Sequence, residues 1–117
     1  MLTPGIEGRF WIYPTAVDMR SGRHGLTGII SNIMKGNPLS GDAYIFFNKP
    51  HKIMRILFWD QDGYVIYSKW LEKGSFEKLL IRQSENKYAI NYEKLLMLLR
   101  GISIKNIKQR KRYSTIS

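Results

Sequence analysis

The stretch Ala43–Leu71, AYIFFNKPHKIMRILFWDQDGYVIYSKWL, constrains the fold more than any other part of the chain. Within it, Ile53–Trp59 alternates so that Ile53, Leu57 and Trp59, with Arg55 among them, share one face, while Met54, Ile56 and Phe58 share the other. A strand apolar on both faces has to be central and covered on both sides. Ala43–Asn48 precedes it, with Ala43, Ile45 and Phe47 opposite Tyr44 and Phe46; Tyr64–Leu71 follows, with Val65, Tyr67 and Leu71 opposite Tyr64, Ile66 and Trp70. Asp62-Gly63 is a hairpin signal, because both central residues of the favoured two-residue turn need positive φ. Lys49-Pro50-His51-Lys52 makes the other turn. The stretch therefore predicts a three-stranded meander carrying most of the aromatic side chains.

The segments around it supply the layers. Gly8–Pro14, GRFWIYP, reads as a short strand with Phe10 and Ile12 on one face and Trp11 and Tyr13 on the other, closed by Pro14, which cannot donate to a ladder. A helix over about Gly22–Lys35 presents Leu26, Ile29, Ile30, Ile33 and Met34 as one apolar stripe. Ser21 or Asp18 is placed to cap it, Gly36 to end it in a left-handed conformation, and Pro38 to prevent continuation. Gly25 and Gly28 inside this helix each cost about 1 kcal/mol relative to Ala. Close packing on the sheet is the commoner reason for such glycines, and backbone approach to a ligand the other. Phe76–Arg82 carries no clear pattern, and Tyr88–Ile90 reads as a short strand. Asn91 is a suitable N-cap for a helix Tyr92–Arg100 whose leucines are largely buried and which Gly101 stops.

Charge bounds the partners. The 117 residues contain 19 Lys and Arg against nine Asp and Glu, a net +10 with a pI near 10.0. Basic excess of this size suits a polyanion, above all nucleic acid, because each neutralised phosphate releases a counterion; it also keeps a small protein soluble. Residues 105–117 hold Lys105, Lys108, Arg110, Lys111 and Arg112 and no acid, so this tail carries +5 and the body, residues 1–104, the remainder. The reading is one domain over 1–104 and a basic mobile tail over 105–117. The absence of Cys suits a reducing cytosol, and no apolar run approaches a membrane span. The expectation is a cytoplasmic protein with no membrane partner.

No constellation points to catalysis or to a cofactor. Asp60, Asp62 and Gly63 resemble the start of a calcium loop, but the further acids and the closing Glu are missing, so they read as a turn. His24 and His51 lie on different elements without a second ligand at metal spacing, and read as surface residues. The acids are scattered, with no set converging on a divalent metal, and no phosphate loop or nucleophile motif occurs. The candidates for nucleic-acid contact are Lys49, His51, Lys52 and Arg55 around one turn of an aromatic sheet; they serve equally well as a hairpin tip blunted against aggregation. Arg20 and Arg23 could join the amides of the first helix in holding a phosphate, although Asp18 could pair with either arginine. The tail cluster Lys108, Arg110, Lys111 and Arg112 completes the set, with a merely solubilising tail as its alternative.

Three stretches carry a resemblance. VDMRSGRHGL (Val17–Leu26), SGDAYIFFNKPHKIMRILFWDQDGYVIYSKWLEKGSF (Ser40–Phe76) and LLMLLRGI (Leu95–Ile102) resemble the Orf2, or TnpB-type, transposition accessory proteins of insertion sequence sixty-six elements. The matching positions include Asp18-Met19-Arg20, Gly25-Leu26, Ser40-Gly41, Arg55–Asp60 with Asp62-Gly63, Leu71-Glu72, Gly74, Phe76 and Leu98–Ile102, in order over about Gly8–Ile102. The larger RNA-guided nuclease also called TnpB is unrelated. The resemblance implies a role in transposition of a bacterial element, beside a separately encoded transposase that performs the phosphoryl transfer. One departure is the turn Asn48–Lys52, which carries lysines where the family is richer in arginine, and lysine cannot provide bidentate recognition.

The expected fold is α+β, an antiparallel sheet of three to five strands with two packed helices. The expected function is that of a non-catalytic DNA-associated accessory protein without cofactors. The alternative is an adaptor that binds the transposase and meets DNA weakly. The sequence leaves the oligomeric state open.

Overall fold

The computed structural model describes residues 8–78 and 85–100. The elements run β1 (Phe10–Ile12), α1 (Arg23–Asn32), β2 (Ala43–Phe47), β3 (Ile53–Asp60), β4 (Gly63–Trp70), β5 (Tyr88–Ile90) and α2 (Tyr92–Leu99). The strands form one five-stranded sheet in the order β4-β3-β2-β1-β5. This is the expected α+β architecture, with the meander β2–β3–β4 at its centre and one edge. Gly101, the 105–117 tail and most of the Phe76–Arg82 segment lie outside the described residues.

One pairing departs from the antiparallel expectation. β1 runs parallel to β2, with Phe10 opposite Ala43 and Ile12 opposite Ile45, while its pairing with β5 is antiparallel. Parallel neighbours need a crossover, and α1 provides it. The chain after β1 stays beside β2, with Tyr13 N donating to Ile45 O and Val17 N to Phe47 O, before it turns into the helix.

The two helices cover opposite faces, and the period-2 pattern decides what each covers. α1 buries Leu26 and Ile30, with Met34 just after it, against Val17, Tyr44, Phe46 and Leu57, flanked by Trp11 and Tyr13. The α2 side holds Ile12, Ala43, Ile45, Phe47, Met54, Ile56, Phe58, Phe76, Ile90, Leu95 and Leu98. All five residues of β2 are buried, because β2 has neighbours on both edges and a helix layer on each face. Fully burying each of the large apolar side chains among them, Ile45, Phe46 and Phe47, is worth about 1.5–3 kcal/mol. β4 lies at the edge, so Val65 (37% exposed), Ile66 (39%) and Trp70 (73%) remain open to solvent.

Helix ends and turns show where local signals gave way. α2 begins as expected: the Asn91 side chain accepts from Lys94 N at 2.8 Å. α1 does not use Ser21 or Asp18; its N-cap is Gly22, with no side-chain cap. At its other end the left-handed residue is Lys35 (φ 57°), and Gly36 is required instead because a Cβ there would collide with the Tyr44 hydroxyl. Gly25 and Gly28 do not pack on the sheet: a Cβ on Gly28 would meet nothing, and one on Gly25 only Ser21. Ile33, expected in the apolar stripe, is 44% exposed just beyond the last helical turn. In the β3–β4 hairpin Asp60 pairs with Gly63, so the central residues are Gln61 and Asp62, and the left-handed one is Gln61 (φ 58°). Gly63 opens β4.

Candidate nucleic-acid interface

The Asn48–Lys52 turn is built by its own side chains. Asn48 Oδ1 accepts from Lys52 N at 2.9 Å and Ile53 N at 3.0 Å, and Asn48 O accepts from His51 N at 3.0 Å. His51 adopts φ 55°, a conformation that Asn, Asp and His tolerate better than most residues. Its ring stacks on Phe47 with centroids 4.6 Å apart and planes 5° apart. Burial, followed by the nearby Lys78 charge, lowers its pKa from the ordinary 6.5, so the imidazole is favoured in its neutral form. His51, expected at the surface as a phosphate contact, is instead half-buried and supports the turn. Lys49 is exposed on the turn, and Lys52 reaches across to donate its Nζ to Gly74 O at 3.0 Å.

That hydrogen bond ties in a residue which the linear sequence did not single out. Leu71 N donates to Lys52 O, and Phe76 N to His51 O. The segment after β4 therefore folds onto the turn, and the exposed Lys73, beside the left-handed Gly74 (φ 72°), joins Lys49 and Lys52 at one end of the sheet. Counting back from the observed turn, Gln61-Asp62, sets Leu71 opposite Lys52, whereas counting from Asp62-Gly63 would set it opposite Met54, so the sequence offered no sound signal for Lys73.

Arg55 does not belong to this cluster. It lies on the α1 face, half-buried, and its Nη1 donates to Met19 O at 2.6 Å and Ser21 O at 3.1 Å, with Nε buried and without a hydrogen-bond partner. Its geometry clamps the link entering α1. In that link Asp18 takes Arg20 as its partner: Arg20 Nη2 lies 2.6 Å from Asp18 Oδ2, and Nε 3.0 and 3.1 Å from the two carboxylate oxygens. The side-chain hydrogen bonds from Arg20 hold the Asp18 carboxyl at about 2 and raise the arginine. Arg23 is exposed, with Nη2 2.9 Å from His24 Nε2 and its guanidinium 5.9 Å from the centre of the Tyr64 ring. The structure thus divides the predicted residues. Lys49, His51 and Lys52 lie at one end of the meander, where the unpredicted Lys73 joins them; Arg20, Arg23 and Arg55 lie on its α1 side. Lys108, Arg110, Lys111 and Arg112 lie outside the described residues.

The chemistry available at other places is limited. Among the described residues, no group of three or more His, Cys, Asp or Glu is arranged to hold a metal ion. An open cleft of about 400 Å³ is lined by Gly8, Leu39, Ser40, Gly41, Trp59, Asp60 and Gln61, none of them cationic. Beside it, Asp42 locks the start of β2 to β1, accepting from Arg9 N and Trp11 Nε1, each at 2.9 Å. No helix among the described residues is long and apolar enough to cross a membrane.

Fold and surface define the class first: a small α+β protein with a fully buried central strand, β2, and three exposed lysines on the loops at one end of its sheet. The sequence profile of the family described as "IS66 Orf2 like protein" matches residues 8–109. The chain belongs to that family, and so to the transposition-associated accessory proteins of this insertion-sequence type. It is 26% identical over 110 residues to the uncharacterized protein y4jC of Sinorhizobium fredii (strain NBRC 101917 / NGR234), covering 94% of this chain and 92% of the relative. It is also 30% identical over 76 residues to the uncharacterized protein y4hO of the same strain, covering 65% and 66%. No solved structure matches it. The motifs behind the resemblance have structural roles. Asp60–Gly63 closes the β3–β4 hairpin, Gly41 (φ 90°) and Gly74 hold left-handed positions, and Phe76 is buried under α2.

Proposed function

We propose that the protein is a non-catalytic DNA-associated accessory factor in transposition, which contacts the phosphate backbone of duplex DNA through the basic end formed by Lys49, Lys52 and Lys73. The observation that carries this reading is the convergence of these three exposed lysines from two separate loops on one end of a chain of net +10. Lysines act on phosphate as point charges and need no bidentate geometry, so such a cluster provides affinity and orientation with little base selectivity. Arg23, and the arginines and lysines of the tail, add to the attraction. Catalysis of phosphoryl transfer would rest with the transposase.

Titration of duplex DNA at increasing salt tests the reading. Affinity should fall linearly on a double-logarithmic plot, with a slope proportional to the phosphates neutralised. Absence of binding at low salt overturns it, and nuclease-resistant binding to purified transposase would then favour the adaptor.

A further inference from the structure

We propose that β4 is the contact surface for a second copy of this chain, and that two β4 strands pair antiparallel about a two-fold axis to join two sheets into one of ten strands.

The argument starts from backbone groups. Leu71 N donates to Lys52 O, and β3 and β4 pair one-to-one from Ile53–Trp70 to Asp60–Gly63. In an antiparallel ladder, hydrogen-bonded and non-hydrogen-bonded pairs alternate. Gly63, Val65, Tyr67 and Lys69 therefore direct their N–H and C=O groups to β3, whereas Tyr64, Ile66, Ser68 and Trp70 direct theirs away from the sheet. Those four residues form an unbroken row of donors and acceptors along an edge strand eight residues long.

Such an edge normally carries protection: short length, charge, proline or a bulge. The opposite edge has it, because β5 is three residues long. β4 has no proline, and its eight consecutive pairs with β3 contain no bulge. Its single charged residue, Lys69, donates its Nζ to Leu99 O on the α2 side. Trp70 and Ile66 are exposed on one face and Val65 on the other.

One register uses all four outward residues twice. With Tyr67 on the two-fold axis, Tyr64 pairs with Trp70 of the second copy and Ile66 with Ser68 of the second copy. Both combinations bring outward backbone groups face to face, and the first places two aromatics in a cross-strand pair, a favourable arrangement. On the other face Val65 meets Lys69 of the second copy, so no like charges oppose one another within the strands. The ends are complementary as well. The hairpin tip carries Asp60 and Asp62, and the opposite end carries Lys49, Lys52 and Lys73 against Glu72. Continued past the strands, the register sets Gln61 opposite Lys73 and Asp62 opposite Glu72 of the second copy, so each acidic tip reaches an end where three lysines outnumber one carboxylate. A nucleic-acid strand lying along β4 would meet that acidic tip, which makes a second copy the better occupant.

The test uses the full chain, which contains no Cys. Sedimentation at increasing concentration should show a reversible monomer–dimer equilibrium. Ser68→Pro removes an outward N–H without touching the β3–β4 ladder, and Ile66→Lys places a charge on the same edge with the backbone intact. Each should weaken the dimer by roughly tenfold or more while thermal melting stays cooperative; if the proline variant fails to fold, the lysine variant gives the reading. Under oxidation, Tyr67→Cys should cross-link to itself, since a non-hydrogen-bonded pair on the axis brings the two Cα atoms to about 4.5 Å, and Val65→Cys should not. A wild-type monomer at every concentration, a dimer that both edge variants leave intact, or preferential cross-linking of Val65→Cys overturns the proposal. So does loss of DNA or transposase binding in the edge variants of a monomeric protein, which would assign the edge to that partner.

Discussion

β2 and β4 are similar strings, AYIFF and GYVIYSKW, both aromatic and β-branched. Their fates differ entirely. Every side chain of β2 is buried, whereas none of β4 is, and Trp70 is 73% exposed. Gly63, Ser68 and Lys69 make β4 the more polar of the two, but they do not account for the exposure of Val65, Ile66 and Trp70; position in the sheet does. β2 acquires β1 as a parallel neighbour through the α1 crossover, and both helix layers lie over it. β4 follows β3 through a tight hairpin, and among the described residues no strand lies beyond it. The apolar strand in the middle carries the fold, and the apolar strand at the edge is available for contact.

Substitutions can break that comparison. Phe46→Ala in β2 should have the largest effect, a loss of about 3–5 kcal/mol by denaturant unfolding, because a buried aromatic leaves a cavity under α1. Trp70→Ala, which removes a larger ring, should change stability at low protein concentration by about 0.5 kcal/mol or less, as at other exposed sites. Equal losses at the two positions would contradict the distinction.

Arg55→Met comes next. It leaves Met19 O and Ser21 O without their donor, and should cost about 1–3 kcal/mol. Its affinity for duplex DNA, and the salt dependence of that affinity, should not change. A stable variant with weakened DNA binding would return Arg55 to the interface.

A smaller effect depends on pH. Because His51 has a folded-state pKa below its ordinary 6.5, the unfolded chain binds the proton more readily. The contribution of His51 is complete above about pH 6.5 and is lost progressively as pH falls toward the lower folded value. The slope of melting temperature against pH in that window should flatten in His51→Asn, which also tolerates the left-handed backbone. An unchanged slope would show that the ring titrates freely in solvent.

The sequence carried a good part of this structure. Alternation alone assigned Phe10 and Ile12 to one face and Trp11 and Tyr13 to the other, and it identified the two-sided burial of β3. Asn91 was legible as a cap because capping is local, extending only to Lys94. Alternation specifies which residues share a face, not the order of strands. Neither the parallel β1–β2 pairing nor the edge position of β4 could be read from it. The same limit applies to the candidate site. Lys49 and Lys52 were legible as turn residues, but the partners of Arg55 lie 36 and 34 residues away, and Lys73 joins the cluster only after the segment following β4 folds back. The turn was displaced by one residue because Asp62-Gly63 is a strong local signal, yet the β3–β4 register pairs Asp60 with Gly63 and assigns the left-handed position to Gln61.

The most direct test of the functional reading is the salt dependence of duplex binding in a triple variant, Lys49→Ala with Lys52→Ala and Lys73→Ala. All three side chains are exposed, so the fold should persist. If each lysine neutralises one phosphate, the slope should decrease in magnitude by about 2 to 3 relative to wild type. A triple variant that keeps the wild-type affinity and slope would contradict the account.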